Sequence, residues 1–118
     1  MANAARVFFW GRPIGGKELK ALQAFGESTQ YWTQMKEKGE IESFEAVALD
    51  SFGDEINGFL IVRGQREKLL RLEFSEESIR LRQQAALLLT NFKMVDASIG
   101  EELQSRFQDY ARRVKELA

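Results

Sequence analysis

Histidine and cysteine are both absent from this chain, and proline occurs once. Disulfides, zinc sites of the usual kinds, Ser-His-Asp triads and thiolate nucleophiles are therefore excluded. A catalyst built from these 118 residues would have to use Asp, Glu, Lys, Arg, Tyr or Trp, or a bound cofactor. The cysteine-free composition fits a cytoplasmic protein. Charge of one sign is lacking too: 17 basic and 18 acidic residues leave a net −1. That balance offers no field to gather nucleic acid or an anionic membrane, and neither is an expected partner. Apolar runs all stay under ten residues, against the roughly 20 that a membrane-spanning helix needs. The first six residues, Met1 to Arg6, place no basic region before an apolar stretch, so no signal peptide is expected.

What is present is an ordered set of periodic segments. Apolar runs at 7–10, 41–49, 56–62 and 87–95 read as strands. Amphipathic stretches at 17–38 and 65–84 separate them, and a third at 101–117 ends the chain. The order β-α-β-β-α-β predicts one domain over residues 1–118: a ferredoxin-like α+β core at 5–97 with an antiparallel four-stranded sheet, then a C-terminal helix at 98–118. Helices would cover one sheet face and leave the other bare.

Local signals refine this. The first strand, read over 5–12, alternates Val7 and Phe9 against Arg6, Phe8 and Trp10. The first helix carries Leu19, Leu22, Phe25, Trp32 and Met35 as its apolar stripe and is closed by Gly39. Gly26 inside it reads as a point of close helix–sheet packing. Residues 50–55 read as a polar hairpin loop. In the third strand Asn57, Phe59, Ile61 and Arg63 share one face, Leu60 and Val62 the other. Ser75, followed by Glu76 and Glu77, breaks the stretch 65–84 into two helices. The fourth strand is predicted to start near Ala86, and Ser98 with Glu101 fits a capping box for the last helix. Leu103, Phe107, Tyr110, Ala111, Val114 and Leu117 form that helix's apolar face. Glu67–Arg71 and Glu76–Arg80 are spaced for ion pairs on a solvated face.

Two constellations could carry chemistry. Gly11-Arg12-Pro13-Ile14-Gly15-Gly16-Lys17 matches G-x-x-x-x-G-K between a strand and a helix, and 46–50 resembles an apolar strand ending in a magnesium-supporting Asp. Glu18 stands where a metal-binding hydroxyl belongs, and the antiparallel hairpin does not suit a P-loop domain. Nucleotide hydrolysis is set aside on those grounds, leaving at most weak anion binding at the helix start. The second constellation is aromatic and polar: Arg6, Phe8 and Trp10 with Asn57, Phe59 and Arg63, and Glu45 beside them. A strand arginine needs a carboxylate, a ligand or water, and Glu42 or Glu45 is the expected partner. As a site, Arg6 and Arg63 would orient an anionic or carbonyl-containing molecule. Phe8, Trp10 and Phe59 would wall it, and Asn57 or Glu45 would handle protons. No cofactor and no metal is implied. Tyr31 and Trp32 read as packing residues.

The element order over 5–97, the strand Ile56-Asn57-Gly58-Phe59-Leu60-Ile61-Val62 after a hairpin, and the broken helix at 65–84 resemble the dimeric α+β-barrel superfamily, nearest to its small YciI-like members. The resemblance implies a homodimer whose sheets pack face to face across a two-fold axis around a cavity, with the last helix clasping the partner or closing the barrel's open end. That superfamily holds cofactor-independent monooxygenases, isomerase- and dehalogenase-like enzymes and haem-handling proteins. The His-Asp pair of YciI-like members has no counterpart in a chain without histidine, and imidazole ligation of haem is excluded for the same reason. An enzyme, a non-catalytic dimerisation or regulatory module with a filled barrel, and a regulatory subunit that docks on an enzyme through the last helix stay open as alternatives at this point.

Overall fold

The computed structural model describes residues 2–50 and 55–118. Eight elements follow one another: β1 (Ala4–Trp10), α1 (Glu18–Glu37), β2 (Ser43–Ala48), β3 (Gly58–Gly64), α2 (Arg66–Glu73), α3 (Glu76–Leu88), β4 (Lys93–Ser98) and α4 (Gly100–Leu117). The strands form one antiparallel sheet in the order β2-β3-β1-β4. This is the ferredoxin-like α+β fold, with the tail helix α4 added. The hairpin loop predicted at 50–55 falls mostly outside the described residues.

The register explains which side is buried. Phe8 pairs with Leu60 and Met94, and Arg6 with Val62 and Asp96, so these share one face. Onto that face α1 lays Tyr31, Trp32 and Met35, α2 lays Leu69, and α3 lays Leu81, forming the core with Phe8, Leu60 and Val62. Burying side chains of this kind stabilises by about 1.5–3 kcal/mol each. Val7, Phe9, Phe59 and Ile61 point the other way and belong to neither core cluster. Among the described residues no helix is long and apolar enough to cross a membrane.

Ser75 breaks the second helical stretch as predicted, its Oγ accepting from Ser78 N at 3.2 Å. Gly39, at φ 76°, follows α1 and donates from its amide to Lys36 O. Other expectations shift. Ala85–Leu88 are the last turn of α3, and β4 begins only at Lys93. A short apolar run serves a buried helix end as well as a strand, and the capped α3 simply continues through it. β1 ends at Trp10, because Gly11 and Arg12 bond instead to the α3–β4 connection at Thr90. Gly26 meets nothing within 4 Å of where a Cβ would stand, so close packing does not explain it. The buried stripe of α1 runs through Ala21, Ala24, Tyr31, Trp32 and Met35, while Leu19 and Leu22 are each 68% exposed. Ser98 Oγ donates to Glu102 rather than joining a capping box with Glu101, because the helix already starts at Gly100. Arg71 pairs with Glu40, and Arg80 with Glu77 and Glu27, where spacing suggested Glu67 and Glu76. These long side chains reach the adjacent element as readily as their own helical turn.

Candidate functional site

A cavity of about 440 Å³ opens between α1, α3 and the covered face of the sheet. Its floor is Phe8, Trp10 and Leu60, and its walls include Phe25 and Trp32 of α1 and Leu81, Ala85 and Leu88 of α3. The small residues Ala21 and Ala24 also line this space, and they cluster with Leu88 and Leu89 at the helix contact. The aromatic frame is set by side chains and by one glycine. Phe8 lies 5.9 Å from Trp32 and 6.3 Å from Phe92, centroid to centroid, and Trp10 meets Phe25 edge-on at 5.8 Å. The Trp10 indole lies across Gly58, where a Cβ would stand 2.7 Å from Cζ2. Any larger residue there would push the ring out of the floor.

Few polar groups reach the cavity: Glu18, Ser28, Asn57, Ser78 and Arg82. Ser78 is 3% exposed and accepts from Arg82 Nη1 at 3.0 Å, and both residues line the cavity. Apolar walls with a few placed polar groups are the usual make-up of a small-molecule site, and 440 Å³ is within the usual 300–1,000 Å³.

The rim at the β1 end is the G-x-x-x-x-G-K segment. Four of its amides are committed: Gly11 N donates to Thr90 O, Arg12 N to Thr90 Oγ1, Ile14 N to Leu88 O and Lys17 N to Ile14 O. The bonds from Gly11, Arg12 and Ile14 make this loop a strap tying β1 to the end of α3.

The seven residues singled out from the sequence divide between the two faces. Phe8, Trp10 and Asn57 line the cavity together, so Asn57 does not share the face of Phe59 and Arg63 as alternation suggested, because β3 begins only at Gly58. Arg6 lies on the same face outside it, 4% exposed, with Nη1 3.0 Å from Glu73 Oε2. Its Nε is 2.7 Å from Asp96 Oδ1 but out of line with it, an ionic contact without a hydrogen bond. Its partners are thus Glu73 and Asp96, from α2 and β4, while Glu45, one of the two carboxylates expected to meet a strand arginine, pairs with Arg63 instead. Phe59, Arg63 and Glu45 lie on the opposite, uncovered face, where Arg63 Nη2 is 3.5 Å from Glu45 Oε1. Arg82, the cation that does line the cavity, looks in the sequence like one more charge on a solvated helix. Only its spacing of one turn from Ser78 and from Ala85 hints at an inward tilt.

Three pKa shifts mark ion pairs away from the cavity. A hydrogen bond from Arg80 holds the Glu77 carboxyl below its ordinary range, and the same bond raises the Arg80 guanidinium. The Glu102 carboxyl is lowered chiefly by its hydrogen bond from Arg66.

No protein-family model and no curated protein matches the chain. Solved structures do. A dimeric protein of unknown function and ferredoxin-like fold from Bacteroides fragilis NCTC 9343 superimposes with a TM-score of 0.59 at 13% identity, over 81% of this chain and 95% of that one. A dimeric ferredoxin-like protein from Jannaschia sp. CCS1 gives 0.63 at 10% identity, over 81% and 99%. One from Thermobifida fusca YX gives 0.55 at 10%, over 84% and 93%. At these identities the likeness establishes the fold.

Proposed function

We propose that the protein is a homodimeric α+β barrel that binds one small molecule per protomer in the cavity between α1, α3 and the sheet. The single observation that carries the binding reading is that cavity: aromatic on floor and walls, with Arg82 and Asn57 set into it. Its chemistry suits a flat apolar molecule bearing a carbonyl or carboxylate, which Arg82 would hold by charge-assisted hydrogen bonds and Asn57 by its amide. The ligand site thus falls on the helix side of the sheet, not in the barrel's interior.

The dimer reading rests on the uncovered face. Val7, Phe9, Phe59 and Ile61 sit in register across β1 and β3, with the Phe9 and Phe59 rings 5.9 Å apart. A second sheet would cover them, and those rings would fill the barrel where the superfamily keeps a cavity. Dimers in the solved structures of the same fold support this. Affinity to YciI-like proteins is proposed at the level of architecture only, since their His-Asp pair is missing. A cytoplasmic location is proposed from the cysteine-free composition.

Both tryptophans of the chain line the cavity, so their two indole N–H resonances report on it directly. Titrating 2-naphthoic acid should shift both and should fail to do so in Arg82→Ala. Binding that leaves both indole signals unmoved would sink the assignment of the site.

A further inference from the structure

Of the four described helices, α4 alone buries none of its residues. Its apolar side is nonetheless continuous: Leu103, Phe107, Tyr110, Val114 and Leu117 are between 38% and 89% exposed. The radius of gyration, 16.3 Å, exceeds the roughly 13.5 Å of a compact chain this long, as a helix standing off the body requires. The base of α4 is held in place. Glu102 accepts hydrogen bonds from Arg66 of α2 and from Ser98 Oγ, and Gly100 at φ 61° turns the chain away from the edge strand β4. An anchored helix with an uncovered stripe is built to meet something.

The spacing of the stripe identifies the kind of partner. Positions 103, 107, 110, 114 and 117 recur at intervals of four and three, the seam by which one helix packs along another. Arg106 and Arg113 flank it on one side, Gln104 and Ala111 on the other. Two copies running in parallel would set each arginine against a neutral flank, whereas an antiparallel pair would set arginine against arginine. Area points the same way. The uncovered sheet face measures about 19 by 22 Å, or about 400 Å². That is half of the ~800 Å² per partner of a stable dimer. A helix of 18 residues adds a strip about 27 Å long and ~10 Å wide, most of the shortfall.

We infer that α4 pairs in parallel with α4 of a second copy of this chain, locking the sheet-to-sheet dimer. This rests on the dimer proposed above, because so short a seam does not hold as a free-standing coiled coil. The cysteine-free chain makes the test clean. Val114→Cys places one thiol in the seam, and Ser105→Cys places one on the outer side of the same helix. On mild oxidation Val114→Cys should yield a covalent dimer and Ser105→Cys should not, while light scattering of the unmodified chain gives twice 13.6 kDa. The double variant Phe107→Glu, Val114→Glu should weaken dimerisation by about 100-fold with its circular dichroism kept, since α4 supports no core. A dimeric mass without the Val114→Cys cross-link, or an unweakened double variant, overturns the helix pairing and leaves the sheet dimer standing. A monomeric mass for the unmodified chain overturns both.

Discussion

Phe8 and Phe9 are neighbours on one strand, yet they inhabit different surfaces. Phe8 is 7% exposed, packed under Trp32 and Phe92, and forms the floor of the cavity. Phe9 is half-buried, touches Phe59 across the strand pair and belongs to neither core cluster. The same side chain on opposite faces of one sheet thus serves the fold in one case and, in the proposed dimer, assembly in the other. The difference shows that apolarity by itself does not report burial: what decides is whether a covering layer is supplied by the same chain or by a second one.

The comparison can be broken most severely at its covered face. Phe8→Ala should lose about 3–5 kcal/mol of folding stability in urea denaturation. Phe9→Ala, measured at concentrations where the chain is monomeric, should lose about 1 kcal/mol or less. Equal losses would mean that the uncovered face is already packed within the monomer. Arg6→Ala should come next, at about 3 kcal/mol, because Glu73 would be left without its cation under α2. The exposure of Asp96 keeps the loss from being larger.

Phe59→Lys sharpens the contrast from the other side. Its thermal midpoint as a monomer should stay within a few degrees of the parent, while its mass in solution should fall to that of a single chain. Ser75→Ala, which removes the side-chain cap of α3 beside the cavity, should destabilise by about 1 kcal/mol and soften the Arg82 wall with it.

The smallest effect is electrostatic. The Glu102 carboxyl is lowered in the folded state, so what it contributes is present above the ordinary carboxylate range and is lost as pH falls through its depressed value. Amide exchange in the first turn of α4 should therefore quicken under acid, and Glu102→Gln should quicken it already at neutral pH. An α4 base equally protected in Glu102→Gln would show that Arg66 does not anchor it.

The element order, the break at Ser75 and the alternation of β1 and β3 are legible in the sequence because they are local. A cap, a turn glycine and a two-residue period all act within a few residues of chain. The misplaced fourth strand marks where local signals end, since Ala85–Leu89 carries no period that separates helix from strand. The candidate site was legible by halves. Alternation correctly grouped Arg6 with Phe8 and Trp10, and Phe59 with Arg63. It could not say that β1 and β3 pair in the register that sends those two groups to opposite faces, nor that Arg82 turns inward beside Ser78.

By itself, then, the sequence determined a four-stranded α+β domain with one face to be covered by its own helices, a chemistry without thiol or imidazole, and an amphipathic last helix. Only the tertiary structure decided that Arg6 is matched by Glu73 and Asp96 from other elements, that Phe8, Trp10 and Asn57 meet around a cavity, and that α4 stands clear of the body. The physical reason is range. Backbone preferences and side-chain periods act over a turn or a strand, whereas Arg6 and Asp96 lie 90 residues apart and become partners only when β1 and β4 pair.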